Sequence, residues 1–186
     1  MKISVIDFSA PSHIVAHQLI GSTFTVNGVG GIIVETEAYD QCEPASHCYI
    51  GKTPRNAAMF GSSGCAYVYR SYGIHWCLNF VCGEEGYGAG VLIRAIQPTI
   101  GIKKMRERRK LDNIHELCSG PGKLGQALAI EYAMNGKSLS EFPFELSSGK
   151  NSVDVICGPR IGIAKAKDLP WRFGLKDSLF LSRPFK

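Results

Sequence analysis

The sequence predicts an α/β (α+β) fold, with residues 1–186 forming a single domain that has a strand-rich centre and flanking helices. Three observations predict it. A chain of 186 residues fits one compact domain and is long enough to bury a real core. Its centre is dense in β-branched and aromatic residues interrupted by glycine steps, as strands and hairpins require. Outside that centre lie helix-like runs bounded by Ser, Pro and Gly. The 45% hydrophobic and 20% charged content is that of an ordinary globular protein, and a net charge of +5 allows a polyanionic partner without demanding one.

Taken in order, Ser9-Ala-Pro-Ser12 places hydroxyls and a proline ahead of Ile14, Val15, Leu19 and Ile20, with Gly21 following, so a short helix is expected first. Thr23–Val26 and Ile32–Tyr39 read as strands joined by a turn at Asn27-Gly28. The second strand organises the chain. Alternation puts Glu35, Glu37 and Tyr39 on one face and Ile32, Val34 and Ala38 on the other. Two readings of the polar face stand open: solvated acids on a half-exposed strand, or a carboxylate beside an aromatic plate, suited to activating water against a planar substrate. Asp40–Ser63 lacks periodicity and reads as an ordered loop, unusually long for a compact domain and therefore a functional candidate. In Cys65–Val81, Tyr67 and Tyr69 share one strand face, and His75, Cys77 and Asn79 share a face of the partner strand. The Tyr72-Gly73 step falls near the hairpin tip.

Glu84–Gly90 is a glycine-rich connector without a phosphate-loop signature. Val91–Ile96 reads as a strand with Val91, Ile93 and Ala95 opposite Arg94. Lys103–Lys110 reads as a basic helix whose plain meaning is a solvated charged face. Leu117–Met134 reads as a helix entered through S-G-P-G-K-L, where free backbone N–H groups beside Lys123 suit a phosphate. After a polar, turn-rich Ser138–Ser152, terminal strands are expected at Asp154–Ile156, Arg160–Ile163 and Leu179–Ser182.

Some classes drop out. No apolar run approaches the roughly 18 residues of a spanning helix. The opening Met1–Ile6 is too short for a leader and is cut by Asp7, so no membrane role and a cytoplasmic location are expected. Seven cysteines form no C-x-x-C pair and are expected to stay reduced as small fillers. Cys42, His47 and Cys48 lack finger spacing, so no metal site is expected.

With the segments in order, the chain resembles the alkyladenine (3-methyladenine) DNA glycosylase family, in its bacterial branch. The blocks that carry the resemblance are I-V-E-T-E-A-Y (33–39), A-x-H (45–47), T-P-R-N-x-x-M-F (53–60), Y-V-Y-x-x-Y-G-I-H (67–75) with Asn79, V-L-I-R-A (91–95) and S-G-P-G-K-L (119–124). R-I-G-I (160–163) and P-W-R-F (170–173) complete it. The resemblance implies a curved, mostly antiparallel sheet without a helix-hairpin-helix. It also implies a monofunctional, cofactor-free enzyme that acts as a monomer, associated with the nucleoid, on double-stranded DNA containing damaged purines.

By residue, it implies that Glu37 deprotonates the attacking water and Arg94 helps position it. Tyr39, His47 and Tyr69 would wall the base pocket, and Asn79 would discriminate purine edges. Tyr72 would fill the gap left by the flipped nucleotide. Lys123, with Arg55 and Lys52 as further candidates, would contact phosphate. A DNA-binding module of the same fold without chemistry is the rival reading, but pure binding needs no water-activating acid beside the pocket. A zinc nucleobase deaminase would need H-x-E with P-C-x-x-C, and neither motif is present.

Overall fold

The strand Val29–Asp40 forms the spine of the molecule, paired along its length with neighbours on both edges. The computed structural model describes residues 6–149 and 152–185. The expectations for the chain opening at residues 1–5 and for the end of the polar stretch at residues 150 and 151 lie outside the described residues. In order, the elements are α1 (Ser12–Leu19), β1 (Thr23–Val26), β2 (Val29–Asp40), β3 (Ala66–Ser71), β4 (His75–Val81) and β5 (Ala89–Ile100). Then come α2 (Ile102–Arg109), α3 (Pro121–Ala127), β6 (Phe144–Ser147), β7 (Val155–Gly158) and β8 (Arg172–Leu175). Single 3₁₀ turns lie at Ala57–Phe60, Ile114–Glu116 and Tyr132–Met134. The strands make one eight-stranded sheet in the order β3-β4-β5-β2-β1-β6, with β8 bridging β2 and β7. All its pairings are antiparallel, so the single α+β domain on a curled antiparallel sheet is borne out.

Local chemistry explains the spine. Asn27 and Gly28 both take left-handed conformations, at φ 52° and 68°, which a two-residue hairpin turn demands. A side chain at Gly30 or Gly31 would put its Cβ 1.9 Å from the carbonyl oxygen of Phe24 or Gln97. Glycine there lets β2 lie between β1 and β5. α1 covers one face with Val15, Ala16 and Leu19, and α3 adds Leu124 and Ala127 to the same core. Each large side chain fully withdrawn in this way contributes about 1.5–3 kcal/mol.

Several expectations need correcting. The β2–β5 register slips between Ile33 and Glu35 and again between Glu35 and Thr36, leaving Val34 and then Arg94 as the extra residue of a bulge. Bulges re-aim side chains and increase twist. In consequence Ile33 rather than Ile32 or Val34 joins Ala38 in the main core, and Ile96 rather than Ala95 follows Ile93. α1 starts at Pro11 without a side-chain cap, and the Ser12 hydroxyl is buried without a partner. The helix expected over Leu117–Met134 is only α3, because Ala129 turns left-handed at φ 53° and the chain leaves in a 3₁₀ turn. Arg160–Ile163 and Leu179–Ser182 are not strands; their polar groups are drawn instead to buried carboxylates. The last strands are Val155–Gly158 and Arg172–Leu175. All seven cysteines are free thiols, but Cys42 and Cys157 are exposed and do not act as core fillers.

Candidate active site

Glu35 and Glu37 project from the same face of β2, and neither is solvated: both are 0% exposed. That removes the reading of a half-exposed strand with acids in water. An isolated buried carboxylate costs too much to persist, so its partners define the site. Glu37 Oε2 accepts the Tyr39 hydroxyl at 2.8 Å and lies 3.4 Å from Arg94 Nη1, while Oε1 accepts the Ile161 backbone N–H at 2.7 Å. A carboxylate offers about four lone-pair directions, so these contacts leave its accepting capacity unfilled. Burial pushes the Glu37 carboxyl above the usual range, against the opposing pull of Arg94, the Ile161 N–H and the Tyr39 hydroxyl. The neighbouring Glu35 carboxylate adds a smaller push in the same upward direction. Burial also opposes the charge on Arg94, yet Glu37 and Glu35 together raise its pKa and keep it a cation.

Glu35 is the anchor of this arrangement. Its Oε1 accepts Arg94 Nε at 3.0 Å, Arg172 Nε at 2.8 Å and the Ser182 hydroxyl at 2.7 Å. Oε2 accepts the Ser182 N–H, and Arg94 Nη2 reaches the Ser182 hydroxyl at 3.2 Å. The β5 bulge thus delivers Arg94 to both acids at once, one end fixed by Glu35 and the other aimed at Glu37.

In front of Glu37 opens a cavity of about 630 Å³ lined by Tyr39, His47, Tyr69, Asn79, Arg94 and Ile161, among others. Glu37 itself stands behind that lining; Tyr39, Arg94 and Ile161, which hold it, are the wall. Tyr67 and Tyr69 stack at 5.5 Å and 23°, and His47 packs edge-on against Tyr69 at 4.6 Å and 81°. His47 Nδ1 lies 3.3 Å from the Tyr67 hydroxyl. Burial and then the nearby Arg55 lower the His47 pKa, leaving the imidazole neutral at pH 7. Burial raises both phenols, that of Tyr67 to about 12. The walls formed by His47, Tyr67 and Tyr69 are therefore flat, uncharged and aromatic, and the cations of the lining, Arg94 and Arg55 among them, stand beside those faces. Asn79 is buried on the floor, and its amide N–H donates to the Tyr67 carbonyl at 3.2 Å.

Tyr72 is 90% exposed at the tip between β3 and β4, in a left-handed conformation with φ 49°. Pro121 reaches the cavity wall, and a Cβ at Gly122 would come 2.9 Å from the His75 ring, so α3 begins against the hairpin tip. Lys123 is half-buried there, with Nζ 3.4 Å from the Ser119 hydroxyl. Arg55 lines the cavity rim, whereas Lys52 is exposed on the loop and does not reach the lining.

Sequence reasoning passed over the partners that arrive from far along the chain. Arg160 binds both Glu43 oxygens, at 2.7 and 3.0 Å, donates to the Ala38 carbonyl at 2.9 Å and lies over the Tyr39 ring at 4.7 Å. It thereby ties the loop carrying His47 to β2 and to the segment carrying Ile161. Arg172 and Ser182 do the same for the chain end. The signals were the arginines of R-I-G-I and P-W-R-F, but nothing local in them names an acceptor. No cluster of three or more His, Cys, Asp and Glu side chains able to hold a metal occurs among the described residues. No helix among them is long and apolar enough to cross a membrane.

Comparison with known proteins places the same residues in a family. The model for methylpurine-DNA glycosylase matches residues 6–179. A relative from Nitrosospira multiformis is 60% identical over 97% of this chain and 94% of its own length. One from Rhodopseudomonas palustris is 59% identical over 96% of this chain and 89% of the relative. One from Bradyrhizobium diazoefficiens is 60% identical over 92% and 86%. All three are assigned by name to the 3-methyladenine DNA glycosylases.

Proposed function

The chain belongs to the methylpurine-DNA glycosylase family, and from that premise we propose that it rotates damaged purines of the 3-methyladenine, 7-methylguanine and hypoxanthine types out of duplex DNA and hydrolyses their N-glycosidic bonds. The reading is that of a monofunctional DNA-3-methyladenine glycosylase, leaving an abasic site. The observation that carries it is the buried Glu37 carboxylate, held by Tyr39, Arg94 and Ile161 at the back of an aromatic cavity.

The steps follow from those groups. Unstacking a base costs a few kcal/mol, least for a damaged or mispaired one. Tyr72, exposed at the hairpin tip, enters the vacated space, while Tyr39, Tyr69 and His47 receive the base between flat faces. Glu37 takes a proton from water as the water oxygen bonds to the sugar anomeric carbon. The carbon–nitrogen bond breaks, and its electron pair leaves with the purine. Positive charge developing on the sugar is stabilised by the same carboxylate. Arg94 keeps Glu37 and the water in register, and Asn79 reads the purine edge. Lys123, Arg55 and Lys52 are the phosphate contacts. Lysine chemistry plays no part, so the product is not nicked.

A duplex carrying one 3-methyladenine or one hypoxanthine tests the reading. Free base should appear with wild-type protein, and Glu37→Gln should lower the single-turnover rate by about 10²–10⁴ while lesion binding persists. Excision at the wild-type rate in that variant would take Glu37 out of the reaction.

A further inference from the structure

The hairpin of β3 and β4 has two faces, and the proposed chemistry occupies only one. On the other flank lies a groove of about 620 Å³, comparable in volume with the base cavity, lined by Arg55, Arg70, Tyr72, Trp76 and Tyr132 among others. Nothing in the mechanism uses Arg70, Trp76 or Tyr132. Tyr132 is 58% exposed at the 3₁₀ turn beyond α3. Its ring lies 5.9 Å from Trp76 at 31°, and the Arg70 guanidinium sits 5.5 Å from the Trp76 ring centre. Arg55 Nη2 donates to the Arg70 carbonyl at 3.3 Å, which ties the Arg55 side chain to the same hairpin strand. The lining described contains two cations and no carboxylate.

We propose that this groove is a second nucleotide site, which holds the nucleotide adjoining the flipped one on the lesion-bearing strand. The proposal rests on the reading of the base cavity as the lesion site. An aromatic pair under an arginine is chemistry suited to the face of any base, and base–aromatic stacking tolerates any sequence. Two arginines in the lining of one groove suit a phosphate. Continuity selects the strand: Arg55, Tyr69 and Tyr72 line both the cavity and the groove, so a chain leaving the cavity past Arg55 runs directly into it. The wedge is then gripped from both sides, with the flipped nucleotide on one face and its neighbour on the other.

Binding to a duplex with a tetrahydrofuran abasic analogue, and to the same lesion strand alone, tests this without chemistry. Tyr132→Ala should weaken both by about tenfold or more, the range found when an aromatic under a base is removed. Arg70→Ala should weaken both as well and flatten the duplex salt slope by about 0.9, one phosphate contact. A methylphosphonate next to the lesion on its own strand should reproduce the Arg70→Ala loss and cost that variant nothing more. Tyr132→Phe should bind like wild type, and since both side chains are exposed, equal melting temperatures check that the fold is intact. Wild-type affinity and salt slope in both alanine variants would overturn the site. So would losses confined to the duplex, or a matching methylphosphonate on the opposite strand, because the contact would then not belong to the lesion strand. Wild-type protein that releases no base yet shows the Arg70 and Tyr132 losses would retain the groove and sink the glycosylase reading instead.

Discussion

In the proposed reaction Glu37 would have to satisfy two opposed demands, being ionised enough to accept a proton and dry enough to act on a forming cation. Burial raises its pKa, and Arg94, Ile161 and Tyr39 pull it back down. The consequence is a testable pH dependence. Because the ionised form is the working form, excision of a base already cationic through alkylation should rise with pH along a limb lying above 4.5, the ordinary glutamate value, and then level off. Hypoxanthine is neutral and also needs a proton on the departing base, so its rate should rise and then fall. Single-turnover rates on 7-methylguanine and hypoxanthine duplexes over one pH range decide the matter. Two identical bells would mean that a second protonated residue is essential to both. At this scale the sequence was informative about identity and silent about environment. The spacing Glu35, Glu37, Tyr39 put three groups on one face, but the donors that make a buried acid tolerable come from Arg94, Ile161, Arg172 and Ser182. Ile161 lies 124 positions away, and its contribution is a backbone N–H, which no residue type announces.

Elements explain why Tyr72, the proposed wedge, and Lys123, the phosphate candidate, lie together. The hairpin was legible because Tyr72-Gly73 interrupts two alternating runs, and the tip falls at the expected step, with Ile74 beside it 67% exposed. The approach of α3 to that tip was not legible; it depends on Gly122 and Gly125, where a Cβ would come 2.9 Å from the His75 ring and 2.1 Å from the Trp76 carbonyl. The bulges at Val34 and Arg94 were hidden for a related reason, since a pattern of period two carries no mark where one residue is added. Tyr72→Ala should therefore leave the fold alone and let the nucleotide swing back into the stack. A fluorescent base at the flipped position should report a smaller extrahelical population, and an unchanged one would reduce Tyr72 to a surface ring. Lys123→Ala should weaken lesion and undamaged duplex by similar factors, because phosphate contacts carry no sequence information. Its salt slope should flatten by about 0.9, whereas an unaltered slope would put Lys123 off the DNA.

At the scale of the whole molecule, the last residues of the chain complete a site whose acids appear within the first forty. Ser182 donates its N–H and its hydroxyl to Glu35 and receives Arg94, and Arg172 is capped by the carbonyls of Arg183 and Pro184 and by the Phe185 ring at 3.9 Å. Two arginines converge on one oxygen of Glu35, an arrangement that holds only while the remaining lone pairs are satisfied. Residues 182–185 thus form a strap behind Glu35 and Arg94, and Ser182 helps to fix the aim of Arg94. Ser182→Ala removes one hydroxyl while keeping the backbone donor. A hydrogen bond to a charged group is worth about 1.5–3 kcal/mol, so the variant should lose stability by roughly that amount in denaturant unfolding. It should also lose turnover at saturating enzyme, since Arg94 gives up the contact that fixes its Nη2. Binding to undamaged duplex should not change, because the substitution at Ser182 removes no cation from the surface. Full excision rates with lowered stability would make the strap a fastener of the fold alone. A fall in turnover that Ser182→Thr restores would assign it to the chemistry as well.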